Sequence, residues 1–150
     1  MTDPGAYDRS MRIVVGAAVG VVLVLLAAIH LYWVAGGRWG RSGAVPEVDG
    51  VSVFEPGPGP NIAVAALLLL AAALVTCCAG LWTLPVGPGW LARLGTWGVA
   101  AVMAARAVGD FRLFGLFKRV RGTEFARRDS RLYTPLCVAL AAGCALVAAA

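Results

Sequence analysis

Few residues in this 150-residue chain could do chemistry, and three of them stand out by position. His30, the only histidine, sits inside a long apolar run, and Arg106 and Asp110 sit at the end of another. An ionisable side chain at such a place is costly to bury, so it is either paired or part of a site. Arg106 and Asp110 are four residues apart, which puts both on one helix face within ion-pair reach. Their order opposes the helix dipole, but an opposite charge in a low dielectric outweighs that. Two readings follow. In one, the pair is a structural bridge and His30 is hydrogen-bonded in the core. In the other, His30, Arg106 and Asp110 line a polar pocket, with Arg38 and Tyr133 closing its rim. An enzyme built on them would use His30 as acid or base, oriented by Asp110, with Arg106 stabilising an anion. One histidine with no paired nucleophile is thin machinery, so the reading leans away from an enzyme.

The four cysteines, Cys77, Cys78, Cys137 and Cys144, all lie in apolar runs and show no C-x-x-C spacing. They read as free thiols that pack as small residues. With no histidine or carboxylate among them, they make no metal site. A Gly-rich phosphate loop, an H-E-x-x-H and a G-x-S-x-G elbow are all missing, so no cofactor is expected.

The elements that position these residues follow from composition. Hydrophobic residues make up 60% and charged residues 14%, where soluble domains have about 45–50% and about 25%. Mean hydropathy is +0.81. A chain this short has too much surface to hide so much apolar side chain in water, which points to the bilayer as solvent. A bilayer core about 30 Å thick needs about 20 helical residues at about 1.5 Å each. Four stretches qualify: about 13–35, 62–84, 91–109 and 132–150. The third carries Arg93 and Arg106, and an arginine at a span centre costs about 2.5–3.5 kcal/mol. Both lie near its ends, where Arg93 can snorkel and Arg106 has a partner within reach. The expected fold is therefore all-α: a four-helix transmembrane bundle forming one integral membrane domain over residues 1–150. The first span is too long for a signal-peptide core and its flank is charge-balanced, so it reads as retained.

Small residues recur four apart: Gly16 and Gly20; Ala72, Thr76 and Gly80; Ala139 and Gly143. Such spacing lets helices approach closely in lipid. It serves either one compact bundle or, through Gly16 and Gly20, a homodimer; the oligomeric state stays open.

The loops set orientation. In the first, 36–61, Asp49-Gly50 between Val48 and Val51 signals a hairpin turn, and Pro56-Gly-Pro-Gly-Pro60 predicts extended chain before the second span. A short turn around Pro85 to Gly89 joins the second and third spans. Loop three, 110–131, holds seven basic residues: Arg112, Lys118, Arg119, Arg121, Arg127, Arg128 and Arg131. With Arg38 and Arg41, the two long loops carry nine basic residues, against Arg9, Arg12 and Arg93 on the other side. The positive-inside rule then predicts a multi-pass protein of the cell membrane, with both termini outside and loops one and three in the cytoplasm. Tyr32, Trp33, Trp39 and Tyr133 mark one interface, and Trp82 and Trp90 the other.

The net charge of +5 flanks apolar spans, so the partner it implies is the lipid bilayer, not nucleic acid. Phe111, Leu113, Phe114, Leu116 and Phe117 interleave with Arg112, Lys118, Arg119 and Arg121. Apolar groups would enter the acyl boundary while those four cations meet lipid headgroups.

Three stretches together resemble a known family. They are His30-Leu-Tyr-Trp33 with Gly36-Gly-Arg-Trp-Gly40; Arg106-Ala-Val-Gly-Asp-Phe-Arg112 with Gly115-Leu-Phe-Lys-Arg-Val120; and Gly122-Thr-Glu-Phe-Ala-Arg127 with Asp129, Tyr133 and Pro135-Leu-Cys137. They resemble the bacterial integral-membrane family labelled domain of unknown function 3995. The resemblance implies a small membrane protein and carries no activity, cofactor, partner or catalytic residue. The functional expectation is a membrane protein binding a lipid or small amphipathic ligand in a polar pocket at the cytoplasmic leaflet. The rivals are an embedded enzyme and a structural or assembly subunit.

Overall fold

The structure, a computed structural model, describes residues 4–41, 43–45, 47–48, 51–52, 57–83 and 88–150. It is helical: α1 (Pro4–Val34), α2 (Pro58–Cys78), α3 (Trp90–Val108), α4 (Glu124–Arg128) and α5 (Thr134–Ala149). A π-helical turn, Asp129–Tyr133, joins α4 to α5 without a break. A two-residue ladder, β1 (Glu47–Val48) with β2 (Val51–Ser52), pairs Val48 with Val51 in antiparallel register. That is the pairing a turn at Asp49-Gly50 would make, although the two turn residues lie outside the described residues, as do 84–87 of the second loop.

Three helical stretches, Tyr7–Val34, Pro58–Cys78 and Glu124–Ala149, are long and apolar enough to cross a membrane, by length and composition. α1 packs on α2, α2 on α3, α3 on α5, and α5 back on α1. α1 and α3 are thus diagonal to one another. The core between the helices is built from small and aliphatic side chains, among them Leu23, Ala27, Ala65, Val75, Ala100, Leu140 and Val147. Outward faces are apolar as well: Val21, Leu25, Leu67, Leu70, Leu94 and Val102 are exposed. Large apolar side chains displayed all round a helix bundle are what a lipid-facing surface requires.

Helix limits depart from the expected spans for local reasons. α2 begins at Pro58, inside the Pro-Gly run. The first turn of a helix leaves its N–H groups unbonded, so Pro58 and Pro60 remove donors that have no partner there. Its end, expected near Leu84, comes at Cys78. Gly80 takes φ +84°, and the N–H groups of Gly80 and Leu81 return to the carbonyls of Cys77 and Thr76 at 2.9 and 3.1 Å. This is a glycine cap in the left-handed region, so Gly80 terminates α2. Before Ile13, α1 continues back through the charged residues Asp8, Arg9 and Arg12.

The close glycines serve packing within the chain. A Cβ on Gly16 would overlap that of Ala79, one on Gly20 would overlap the Thr76 methyl, and one on Gly143 would press on Val19. Gly16 and Gly20 thus face α2 of the same chain.

Candidate functional site

The polar centre of the molecule is the carboxylate of Asp129, which is fully buried. Four donors reach it. Arg106 Nη2 donates to Oδ1 at 2.9 Å. To Oδ2 donate the Gly115 N–H at 2.8 Å, Lys118 Nζ at 2.9 Å and Thr134 Oγ1 at 3.1 Å. A buried charge is tolerable only when paired and hydrogen-bonded, and here both conditions hold. Two cations on one carboxylate leave the cluster with a net positive charge.

The local fold explains how the donors converge. Thr134 lies five residues after Asp129 and donates its N–H to the Asp129 carbonyl. The wider π turn therefore stacks Thr134 above Asp129, which an α-turn would not do. Pro135 follows directly. In an α-helix its ring would clash with a carbonyl four residues back, and widening the preceding turn relieves that clash.

Loop three delivers the other donors. Gly109 ends α3 at φ +89°, and Gly115 sits at φ +91°. Their backbones meet so closely that a Cβ on either would overlap the other's main chain. Between them Asp110 Oδ1 accepts the N–H groups of Arg112, Leu113 and Phe114 at 3.0, 2.7 and 3.1 Å. Phe111 is forced to φ +62°, a costly value for a bulky residue. Leu116 N–H then returns to the Ala107 carbonyl at 2.9 Å, so the loop folds back on the end of α3 and points Gly115 and Lys118 at Asp129. At Asp110 desolvation raises the carboxyl, yet the backbone bonds from Phe114, Arg112 and Leu113 outweigh it and hold its pKa below the usual value.

This geometry corrects the expected Arg106–Asp110 pair. Both are near the end of α3, but Asp110 lies past the helix, turned onto its own loop, and Arg106 pairs with Asp129. The Arg106 guanidinium also stands 4.4 Å over the Phe114 ring. Lys118 is corrected too. Expected at the headgroups, it is buried and bonded to Asp129 and the Gly115 carbonyl. Arg112, Arg119 and Arg121 are exposed.

His30 belongs elsewhere. Its Nδ1 lies 3.0 Å from Asn61 Oδ1, and Asn61 is buried and donates to the Gly57 carbonyl. The His30 ring meets Trp33 edge-on at 5.1 Å. α1 and α3 are diagonal, and no hydrogen bond or ion pair among the described residues links His30 with Arg106 or Asp110. Arg38 is exposed. Tyr133, in the π turn beside Asp129, donates its hydroxyl to the Gly43 carbonyl at 3.0 Å, and so ties loop one to loop three. Asp129 and Asn61 were not among the expected site residues. The signal for Asp129 was a carboxylate in a strongly basic loop; for Asn61, an amide at the lip of an apolar run.

Beside the cluster is a cavity of about 300 Å³, lined by Lys118, Arg121, Arg127, Ser130, Arg131 and Leu116. Arg127 Nη1 donates to the Gly122 carbonyl at 3.0 Å. Thr123 caps α4 by accepting the Ala126 N–H at 3.0 Å, and Glu124 pairs with Arg128 one turn on. A smaller cavity of about 130 Å³ shares Leu116, Lys118 and Ser130 and continues along Thr134, Pro135 and Val138. The four cysteines are free thiols.

Neither a curated protein nor a solved structure matches the chain. A family model described as "Protein of unknown function (DUF3995)" matches residues 23–144, from the middle of α1 to the middle of α5. The chain belongs to that family.

Proposed function

We propose that this chain is a four-span membrane protein that holds the anionic headgroup of a lipid, or of a small amphipath, at the loop-three end of its helices. The observation that carries the reading is the basic cavity beside Asp129. Arg121, Arg127 and Arg131 line it, and it shares Leu116, Lys118 and Ser130 with the cavity along Pro135 and Val138. Cationic space that runs into apolar helix surface fits a charged head on an acyl tail. The cluster under it supplies a firm base: Lys118 is held by Asp129 and adds to the positive field without being free to turn away.

α3 serves as the fourth span in this reading. It packs on α2 and α5. Its two arginines are accommodated, Arg106 on Asp129 and Arg93 on the Ala149 carbonyl at 3.3 Å. The Tyr133–Gly43 bond supports loops one and three sharing one end, and the excess of basic residues there assigns that end to the cytoplasm and both termini to the outside.

The test is thermal stability of the full chain in nanodiscs of phosphatidylcholine with and without phosphatidylglycerol. Anionic lipid should raise Tm, because a ligand that binds only the folded state stabilises it. The triple variant Arg121→Gln, Arg127→Gln, Arg131→Gln should fold and lose that gain. An equal Tm in both lipids, or a gain unchanged in the variant, rejects the reading.

A further inference from the structure

A second cavity, of about 410 Å³, lies at the opposite end of the bundle, where α1 and α3 begin and α2 and α5 end. Two guanidiniums line it, Arg12 from α1 and Arg93 from α3, together with Ala150; among the described residues no Asp or Glu does. Its apolar wall is Ala92 and Val147, both buried, with Cys77 and Cys78 beside them. Trp82 lines it too, and its indole N–H donates to Thr76 Oγ1 at 2.9 Å. Arg93 is anchored through Nη2 to the Ala149 carbonyl.

Arg12 is the telling residue. Its Nε is buried and has no hydrogen-bond partner among the described residues. A buried guanidinium N–H without an acceptor is costly, and native structures satisfy such groups. A neighbouring cation makes a neutral acceptor a poor match and an anion a good one. Apolar lining from Ala92 and Val147 beside the two charges adds the second requirement, an apolar tail.

We propose that this cavity is an anion site for a phosphate-bearing amphiphile, with Arg12 and Arg93 clamping the phosphate and the tail lying along Ala92 and Val147. It is separate from the basic cavity at loop three, and neither reading depends on the other. The geometry also supplies a reporter: an occupant covers the Cys77 and Cys78 thiols, whereas Cys137 and Cys144 do not line the cavity.

The experiment is N-ethylmaleimide labelling of the purified full chain in dodecyl maltoside, with each cysteine read by peptide mass. Dioctanoyl phosphatidic acid should slow labelling of Cys77 and Cys78 by about tenfold or more, the scale of one charge-assisted hydrogen bond. Dioctanoyl phosphatidylcholine should protect less, because its choline cation opposes the two guanidiniums. Inorganic phosphate distinguishes the source. Weak protection by it assigns the site to the amphiphile, while equal protection assigns a free phosphate and overturns the role given to the tail. Arg12→Gln with Arg93→Gln should abolish protection, and Arg12→Lys should weaken it. The loop-three variant Arg121→Gln should leave protection intact, so failure of one site is distinguishable from failure of the other. Absence of protection in the wild-type chain overturns the proposal, and so does protection that survives the double substitution. The wild-type measurement decides even if the double variant does not fold.

Discussion

The ammonium of Lys118 donates to Asp129 Oδ2 at 2.9 Å, and both side chains are shut away from solvent. A lone lysine in a chain otherwise served by arginine thus ends up as an internal strut. Its three-donor ammonium fits this place, since it bonds both Asp129 and the Gly115 carbonyl. Removing Asp129 leaves the buried Lys118 ammonium without its counter-charge. Asp129→Ala should cost about 3–5 kcal/mol. Lys118→Met should cost less, because Arg106, Gly115 and Thr134 still serve the carboxylate. Arg106→Leu should cost least of the three, since that side chain is 31% exposed. Chemical denaturation of the detergent-solubilised chain measures the order; an Asp129→Ala variant as stable as wild type would mean that the cluster does not hold the fold.

Asp110 makes the loop between α3 and α4 sensitive to acid. Its folded pKa lies below the ordinary value, so its contribution is fully present above that value and is lost as pH falls through the folded one. The window therefore lies below about pH 4. The N–H groups of Arg112, Leu113 and Phe114 should lose protection there, read as hydrogen-exchange rate against the intrinsic rate at the same pH. Asp110→Asn keeps an acceptor but not the charge, so it should flatten the pH dependence. Protection of these three N–H groups that stays constant as pH falls below about 4 in the wild-type chain would overturn the role given to Asp110.

The contact of α1 with α2 predicts opposite results at two glycines. Gly16→Val should cost about 1–3 kcal/mol, because a Cβ there overlaps Ala79. Gly98, inside α3 with open space at its Cβ, should gain about 0.5–1 kcal/mol on change to Ala. Thermal melts of the two variants against wild type are sufficient. A gain at Gly16 would mean that α1 and α2 do not meet there.

Orientation is checked by reporter fusions. A fusion after Ala150 should report the outer side and one inserted in loop three the cytoplasm, following nine basic residues against three. A cytoplasmic signal at the C-terminal end would reverse the topology and exchange the leaflets of the two proposed sites.

Much of this protein was written in the amino-acid order. The helical class, the three most apolar helices and the basic character of loop three follow from composition and run length, because apolar spans and charge bias are local properties. So does the β1–β2 pairing, which the Asp49-Gly50 signal between two valines anticipates. Family membership was legible in the three blocks that carry the resemblance, all of them inside the matched region. What fell to tertiary structure was the pairing of charges. The spacing of Arg106 and Asp110 was read by helical geometry, but Gly109 ends the helix between them, and the partner of Arg106 is 23 residues away. Two left-handed glycines in contact, an Asp-capped loop and a π turn bring Arg106, Lys118 and Asp129 together, and none of these has a period that a sequence displays. His30 met Asn61 for a similar reason: α1 packs beside α2 and diagonally to α3, and the order of helices around a bundle is decided by how their side chains interlock, not by the residues of any one of them.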